Sequence, residues 1–465
     1  MTRQSQLGNL FPIQLTQDSF ALRLLLPIAF FAVVGLLLVN TAGAHDENDP
    51  KNIGSSAPAN NNGGGGGGSG GNWQRNKVQL LSHMWLDEIG NLGASNVIGN
   101  DIWGWTDQSS GREFALFGLT NGTSFIEVTD PTSPVYLGTL QTQTGNRSWR
   151  DMKIYKDQAY IVSDNNGAHG VQVFDMKQLL TASQSDPNNP TYYNTVGVYS
   201  GITRGHNIFI NEDTGYAYVA GSNQASGGLH VLNLNGANGA MPTFAGNFSA
   251  DGYTHDTQVV TYTGPDSNFT GREIAFNSNE DTLTIVDVTD KSNMVQLARQ
   301  GYAGAQYAHQ GWLSDDQRYF FMNDELDERR SSDPIQTATR VWDVSDLANP
   351  FLVGIYEGTE QTIDHNLYVK GDLIFQANYT SGLRILKVND AATMDIEEYG
   401  FFDTYDADNN VTFNGAWSVY PYFESGNILV SDRQNGLFVL KMVPEPSSML
   451  VLSMIGLGIA LRRRR

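Results

Sequence analysis

Four of the eight histidines in this 465-residue chain recur at one position of a repeated segment, just before a short apolar run. They are His206, His255, His309 and His365. Aligning the repeats by their apolar residues places Asp101 and Asp151 at the same position in two earlier repeats, and Ala416 in the last. Imidazole and carboxylate groups together bind Zn, Mn, Fe or Ni, so the recurrence predicts a site for a divalent metal ion or another ligand.

Two further carboxylates stand beside these histidines. Asp256 follows His255 and Asp364 precedes His365, so they are candidates to orient the imidazoles from a second layer. A different interpretation stays open, in which the histidines and aspartates bond to backbone groups and tie neighbouring repeats together. A metal ion held with an open coordination position would instead allow hydrolysis or elimination.

The segment that carries the histidines returns at intervals of about 50 residues, in the range typical of propeller repeats. Each unit reads as a first strand, a second such as "AYIVSD", a third such as "LTIVDVTD" and a fourth such as "PFLVGIY". Full repeats begin near residues 101, 151, 206, 255, 309 and 365, and a seventh has three strands. Four antiparallel strands per repeat predict an all-β, seven-bladed β-propeller over residues 73–442.

The missing fourth strand of the last repeat is available at the start of the domain. The stretch "KVQLLSHMWL" at residues 77–86 has the required length and pattern. We therefore predict that an N-terminal strand closes the ring, which leaves no unprotected sheet edge. In a propeller the first strand of each blade lines the central channel, so equivalent positions form a ring around the axis.

Composition excludes several classes of function. The chain has no cysteine, which excludes disulfides, thiolate zinc sites and a cysteine nucleophile. Its formal charge of −21 opposes binding to nucleic acid. No catalytic Ser-His-Asp pattern, phosphate-binding glycine loop or helical His-Glu-x-x-His motif stands out.

The N-terminal region has the order of a secretory signal peptide. Arg23 precedes an apolar core, and small residues end at Ala42-Gly43-Ala44, so residues 1–44 are predicted to be a signal peptide. A retained N-terminal membrane anchor is the alternative. Residues 45–72 are rich in glycine and asparagine and are predicted to form a flexible, disordered linker.

The C-terminal region, residues 443–465, combines Pro444, Glu445 and Pro446 with an apolar segment and four arginines. This order resembles the PEP-CTERM sorting signal of Gram-negative bacteria. The resemblance implies a C-terminal helix that enters the inner membrane transiently, processing by an exosortase, and delivery to the cell surface or extracellular matrix. A plain C-terminal anchor is the alternative.

The third strands resemble the LVIVD repeat, most closely in "LTIVDVTD" at residues 283–290. Together with "GREIAFNSNEDTLTIVDVTD" and "HQGWLSDDQRYFFMNDELDE", the domain is similar to the choice-of-anchor B family. That resemblance implies a propeller and a surface location. It implies no substrate and no catalytic residue.

Two functions are consistent with these sequence features. The first, which we favour, is a non-catalytic, exported β-propeller that binds a surface protein or a polysaccharide in the cell envelope. The second is a metal-dependent hydrolase or lyase that uses the ring of histidines and aspartates at the channel mouth. Fold class alone does not choose between them.

Overall fold

The computed structural model describes residues 71, 73–90, 97–236, 241–333 and 335–443. The predicted signal peptide, nearly all of the predicted linker, and the predicted sorting segment from Pro444 onward lie outside these residues. None of the helices in the described ranges has the length and apolar character needed to cross a bilayer.

The described residues form short strands and very little helix. In chain order the strands are β1 (Arg75–Asn76), β2 (Val78–Met84), β3 (Gly99–Thr106), β4 (Glu113–Leu119), β5 (Gly122–Glu127), β6 (Val135–Gln141), β7 (Arg150–Tyr155), β8 (Gln158–Ser163), β9 (Val171–Asp175), β10 (Tyr192–Tyr193), β11 (Gly197–Tyr199), β12 (Asn207–Asn211), β13 (Tyr216–Ala220), β14 (Leu229–Asn233), β15 (Thr243–Phe248), β16 (Asp256–Thr261), β17 (Glu273–Ser278), β18 (Thr282–Asp287), β19 (Val295–Gly301), β20 (Ala308–Leu313), β21 (Tyr319–Asp324), β22 (Ala338–Asp343), β23 (Phe351–Glu357), β24 (Asn366–Lys370), β25 (Leu373–Ala377), β26 (Leu383–Asp390), β27 (Asp395–Phe402), β28 (Ala416–Tyr420), β29 (Asn427–Asp432) and β30 (Gly436–Met442). The helical turns are 3₁₀ segments at Leu86–Glu88, Met176–Thr181 and Ala225–Gly227, and the single-turn α-helix α1 (Asp327–Arg330).

These strands make seven sheets of four or five strands, so the predicted seven-bladed β-propeller is confirmed. Blade 1 is β3 to β6, with β10 added in parallel to β6, and blade 2 is β7, β8, β9 and β11. Blades 3, 4 and 5 are β12–β15, β16–β19 and β20–β23. Blade 6 is β24–β27 with β1 on its outer edge, and blade 7 is β28–β30 with β2.

The first strands surround the hub in chain order. Each contacts the next, from β3 through β7, β12, β16, β20 and β24 to β28, and β28 contacts β3. One sheet holds both ends of the described domain, because β2 pairs antiparallel with β30 from Val78↔Met442 to Met84↔Leu437.

The core lies between blades rather than within them. The second and third strands of blade 4 are buried along their whole length, because each face of the sheet packs on a neighbouring blade. Phe276 of blade 4, for example, belongs to one cluster with Phe320 and Trp342 of blade 5. The outer strand β19 is mostly exposed, and its polar residues Gln296, Arg299 and Gln300 all face solvent.

A β-bulge recurs between the third and fourth strands of several blades. In blade 4 the register shifts between Ile285 and Val286, within the "LTIVD" segment, and equivalent shifts occur in blades 1, 3, 5 and 6. A bulge increases the local right-handed twist of a strand pair. The repeated sequence therefore encodes the same twist in each of these blades.

Candidate functional site

The four repeated histidines lie side by side at the hub. His206, His255 and His365 directly precede β12, β16 and β24, and His309 is the second residue of β20. Their ring centroids follow one another at 4.3, 4.1 and 4.3 Å, from blade 3 to blade 6. All four side chains are buried. We call these four residues the histidine row.

Backbone carbonyls orient two of these imidazoles. His365 Nδ1 lies 2.6 Å from the carbonyl oxygen of Trp417, and His255 Nδ1 lies 2.8 Å from that of His309. A carbonyl oxygen only accepts, so Nδ1 carries the proton in each ring and Nε2 keeps its lone pair. These bonds also tie blade 4 to blade 5 and blade 6 to blade 7, so the two interpretations of the repeated histidines are compatible.

At the blade 3 end of the histidine row, His206 contacts an acidic residue, Asp164. His206 Nδ1 lies 3.0 Å from Asp164 Oδ2, and Arg204 donates to Asp164 Oδ1 at 3.4 Å. Burial opposes ionisation of Asp164, but its bonds and charge interactions with His206 and Arg204 hold the pKa of this carboxyl below its ordinary value.

Glu325 lies beside the blade 6 end of the histidine row. The repeat pattern in the sequence did not identify it as a ligand. Its Oε1 lies 3.6 Å from Nε2 of His365, and its Oε2 lies 3.7 Å from Nε2 of His309. Tyr379 donates its hydroxyl hydrogen to Oε1 at 2.6 Å. Glu325 is fully buried, and burial raises the pKa of its carboxyl to about 8.

The charged stretch around Glu325 is buried, although runs of charged residues usually form solvated surface loops. Asp324, Glu325, Asp327 and Glu328 are all buried, and α1 begins at Asp327. Because β20 and β21 are antiparallel, the end of β21 lies beside the start of β20, where His309 stands. That topological relationship is the signal that could have identified Glu325 from the sequence.

Asp101 and Asp151 do not occupy the histidine position. In blades 3 and 4 the residue directly after the histidine pairs with the second strand, in the pairs Asn207↔Ala220 and Asp256↔Ser278. The equivalent pair in blade 2 is Asp151↔Val162. Asp151 therefore lies one residue beyond the histidine position. Asp101 lies in an irregular part of β3, between the Gly99 and Ile102 pairings. The alignment by apolar residues was therefore off by one residue at Asp151, where the strand pairing is regular, and it did not account for the irregular pairing at Asp101.

These two aspartates belong to a separate polar cluster in the hub. Asp151 accepts from Lys153 Nζ at 2.6 Å and, through its other oxygen, from the backbone amide of Ile208 at 2.7 Å. Burial, and then the nearby charge of Asp151, raises the pKa of Asp101 well above its ordinary value. Asp151 thus links blade 2 to blade 3.

Asp256 and Asp364 bind backbone amides. Asp364 Oδ2 accepts from the amide of Ala338 at 2.8 Å, and Asp256 Oδ1 accepts from the amide of Thr257 at 2.6 Å. Since a carbonyl oxygen orients His365, the predicted orienting role of Asp364 is wrong.

A small pocket adjoins Glu325. Its cavity volume is about 10 Å³, which is room for about one water molecule, and its lining is Ser148, Trp149, Glu325, Tyr379, Phe413, Trp417 and Arg433. The Arg433 guanidinium lies 5.2 Å from the centroid of the Trp417 ring and donates from Nη1 to the carbonyl of Phe413. Its Nε is buried and has no hydrogen-bond partner among the described residues. The pocket therefore combines aromatic side chains with the guanidinium group of Arg433, whose Nε is buried.

Comparison with known proteins gives a repeat family and a fold. The profile of the LVIVD repeat matches residues 274–299, which lie in blade 4. No protein with a curated description matches the chain. A β-propeller that contains an LVIVD repeat suggests an interaction module.

Several solved structures are similar to the chain. A protein from Lactobacillus plantarum has 16% identity and a TM-score of 0.43, and the match covers 72% of this chain and 88% of that one. The β-propeller domain of Myceliophteria thermophila Cps50 (Swd1) has 9% identity and a TM-score of 0.46, with coverage of 74% and 98%. Kuenenia stuttgartiensis hydrazine synthase has 9% identity and a TM-score of 0.48, with coverage of 71% and 93%.

Proposed function

We propose that this chain is an exported interaction module of the cell envelope, and that it binds a polysaccharide through the hub pocket. The observation that carries the proposal is the lining of that pocket, where Trp149, Phe413 and Trp417 accompany Arg433. Aromatic faces suit sugar rings, and an arginine guanidinium group suits a carboxylate. Because the cavity holds only about one water molecule, a single acidic sugar unit would lie at its mouth, against the half-buried ring of Trp149.

The overall charge of the chain affects how such a partner would bind. A formal charge of −21 repels an acidic polymer at long range, whereas the contact with Arg433 acts only at short range. Moderate salt screens the long-range repulsion. We therefore expect faster association with an acidic polysaccharide as the ionic strength rises from a low value.

Calorimetric titration of the full chain, purified in mild detergent, tests this proposal. A soluble polyuronate, a neutral glucan and an envelope protein extract are the probes. Trp149 lines the pocket and Trp85 is an exposed tryptophan at the outer edge of blade 7. We expect Trp149→Ala to weaken polyuronate binding by about 1–3 kcal/mol, as loss of a stacking aromatic does in other sites, and Trp85→Ala to leave it unchanged. Binding of the protein extract alone would contradict the polysaccharide assignment.

We further infer that the chain is a choice-of-anchor B protein of a Gram-negative bacterium, with a signal peptide and a PEP-CTERM tail. The support is the sequence order of residues 1–44 and of Pro444, Glu445 and Pro446 before the apolar segment and its arginines. Fractionation of cells with and without an exosortase tests it. Surface delivery should require the enzyme and the Pro-Glu-Pro motif, and equal delivery without either would contradict the assignment.

The pairing of β2 with β30 supports one more inference, that the N-terminal strand closes the propeller ring. Both ends of the domain then share blade 7, so the loss of either end would expose an edge of that sheet. A disulfide engineered between the two strands tests this inference, because it should form readily only if they pair.

A metal-dependent hydrolase or lyase is the second candidate function. The convergence of His309, His365 and Glu325 favours it, since a divalent ion there would supply Lewis acidity beside the pocket. Incubating the chain with the polyuronate and measuring new reducing ends or unsaturated products separates this function from binding alone. Product that forms only without chelator would establish the enzyme.

A further inference from the structure

We propose that His309, His365 and Glu325 bind one divalent transition-metal ion of the zinc or iron class. Within the described residues these are the group of three potential ligands whose donor atoms all lie within 4.8 Å of one another. This inference goes beyond the interaction role and does not rest on it, because a metal ion here could be structural as well as functional.

The distances between the donor atoms fit a shared ion. The Glu325 carboxylate oxygens lie 3.6 Å from His365 Nε2 and 3.7 Å from His309 Nε2. Two ligands of a tetrahedral zinc ion, each about 2.1 Å from the metal, lie about 3.4 Å apart. The observed separations are longer than a good hydrogen bond, at about 2.7–3.2 Å, and need only a small shift to coordinate an ion.

The backbone prepares His365 as a ligand. Its Nδ1 donates to the carbonyl oxygen of Trp417 at 2.6 Å, which directs the Nε2 lone pair toward Glu325. Metal-bound histidines commonly have this arrangement, in which the second nitrogen donates to a carbonyl or carboxylate.

Tyr379 positions the carboxylate of Glu325. Its hydroxyl donates to Oε1 at 2.6 Å, and both side chains are buried. Burying a carboxylate is costly unless it is paired or coordinates a metal ion. The nearby charge of Arg433 works against a bound cation, whereas that of Asp324 favours one.

The ligand types determine the class of metal. Two imidazoles and one carboxylate are the set found in catalytic zinc sites and in facial-triad iron(II) sites, both of which keep open positions. A calcium or magnesium ion would prefer a site built from oxygen ligands. His255 is the next imidazole of the row, with its ring centroid 4.1 Å from that of His309.

The test measures metal content and metal-dependent stability of the full chain in mild detergent. Protein stripped with chelator is incubated separately with Zn²⁺, Co²⁺ and, without oxygen, Fe²⁺, and is then desalted for elemental analysis. We expect about one equivalent of at least one metal per chain, and a higher unfolding temperature when it is present. Cobalt should also give visible absorption bands of a nitrogen-ligated ion.

Glu325→Gln and His365→Gln each remove one ligand and should weaken metal binding by at least about tenfold. His230→Gln is the matched control, because His230 is equally buried but lies in blade 3, where its nitrogens contact Asn247 and Tyr199. Unfolding curves recorded in chelator identify any variant that fails to fold. If Glu325→Gln does not fold, His309→Gln replaces it.

Two results would overturn the site. One is wild-type protein that retains no stoichiometric metal and gains no stability from any of the three ions. The other is a folded Glu325→Gln/His365→Gln double variant that binds the metal as tightly as the wild type. Neither result would bear on polysaccharide binding, which the Trp149→Ala titration measures separately.

Discussion

The Nδ1 atom of His255 donates to the carbonyl oxygen of His309 at 2.8 Å, so a side chain of blade 4 is fixed to the backbone of blade 5. His365 makes the same kind of bond from blade 6 to Trp417 of blade 7. Side chains in the second polar cluster also cross between blades, as Asp151 does to the amide of Ile208. The hub therefore joins neighbouring blades through hydrogen bonds from side chains to backbone.

Replacement of His255 by leucine should destabilise the propeller. The substitution removes a buried hydrogen bond to the His309 carbonyl, which costs about 0.5–1.5 kcal/mol. His255→Gln keeps a donor at a similar length and should recover part of the loss. Urea unfolding in the presence of chelator measures both, and a leucine variant as stable as the wild type would show that this bond contributes nothing.

The stability that Asp432 contributes should depend on pH. Burial raises the pKa of this carboxyl to about 7 in the folded protein, above its ordinary value of about 3.9. Between about pH 3.9 and pH 7 the carboxyl group of Asp432 is protonated in the folded state and ionised in the unfolded state. Stability from this group is therefore present at low pH, falls as the pH rises toward 7, and is constant above that.

Asp432→Asn removes this titration while it keeps an oxygen that can accept from the amides of Gln434 and Asn435. The difference in free energy of unfolding between wild type and variant should change by up to about 1.4 kcal/mol per pH unit within the window. Other groups titrate in the same way in both proteins, so their contributions cancel in this difference when both proteins are measured across the pH range. A difference that is constant with pH would contradict the raised pKa.

A disulfide between β2 and β30 should stabilise the domain if their pairing closes the ring. Gln79 and Lys441 are directly paired and exposed, and the chain has no native cysteine to interfere. The double variant Gln79→Cys/Lys441→Cys would link the two ends of the domain and restrict the unfolded chain over a very long loop. We expect the oxidised form to be about 2–4 kcal/mol more stable than the reduced form.

Thermal and urea unfolding with and without reductant provide the comparison, and each single cysteine variant is a control. Failure of the two cysteines to form a bond under oxidising conditions would mean that the strands are not paired in solution. An oxidised form no more stable than the reduced one would mean that the pairing does not limit unfolding.

The contact between blades 7 and 1 should not tolerate a methyl group at Gly104. A Cβ atom at this position of β3 would lie 2.1 Å from Cε1 of Tyr420 in β28. Because Tyr420 also packs on Trp103 and Tyr422, it has little freedom to move away. We expect Gly104→Ala to cost about 1–3 kcal/mol.

Gly301→Ala is the matched control, since a Cβ there meets its nearest neighbour at 3.6 Å, an ordinary contact. Its unfolding midpoint should stay close to that of the wild type. Equal stability of the two variants would show that the interface between blades 7 and 1 is looser than these contacts indicate.

The sequence by itself determined the number of blades and the grouping of the four histidines. Both are properties of local repetition. The "LTIVD"-like third strands mark each blade, and each of the four histidines lies directly before a first strand or within its first two residues. Repeats that pack on one another in the same way bring equivalent positions together, so a pattern along the chain becomes an arrangement in space.

Only the tertiary structure decided what surrounds those histidines. The strand register moved Asp151 out of the histidine position, and the fold of the turn after β21 brought Glu325 to His309 and His365. It also gave His365 a backbone carbonyl partner in place of Asp364. The physical reason is that the order of apolar residues along a strand does not fix which residues of two strands pair, and that contacts between blades join residues far apart in the chain.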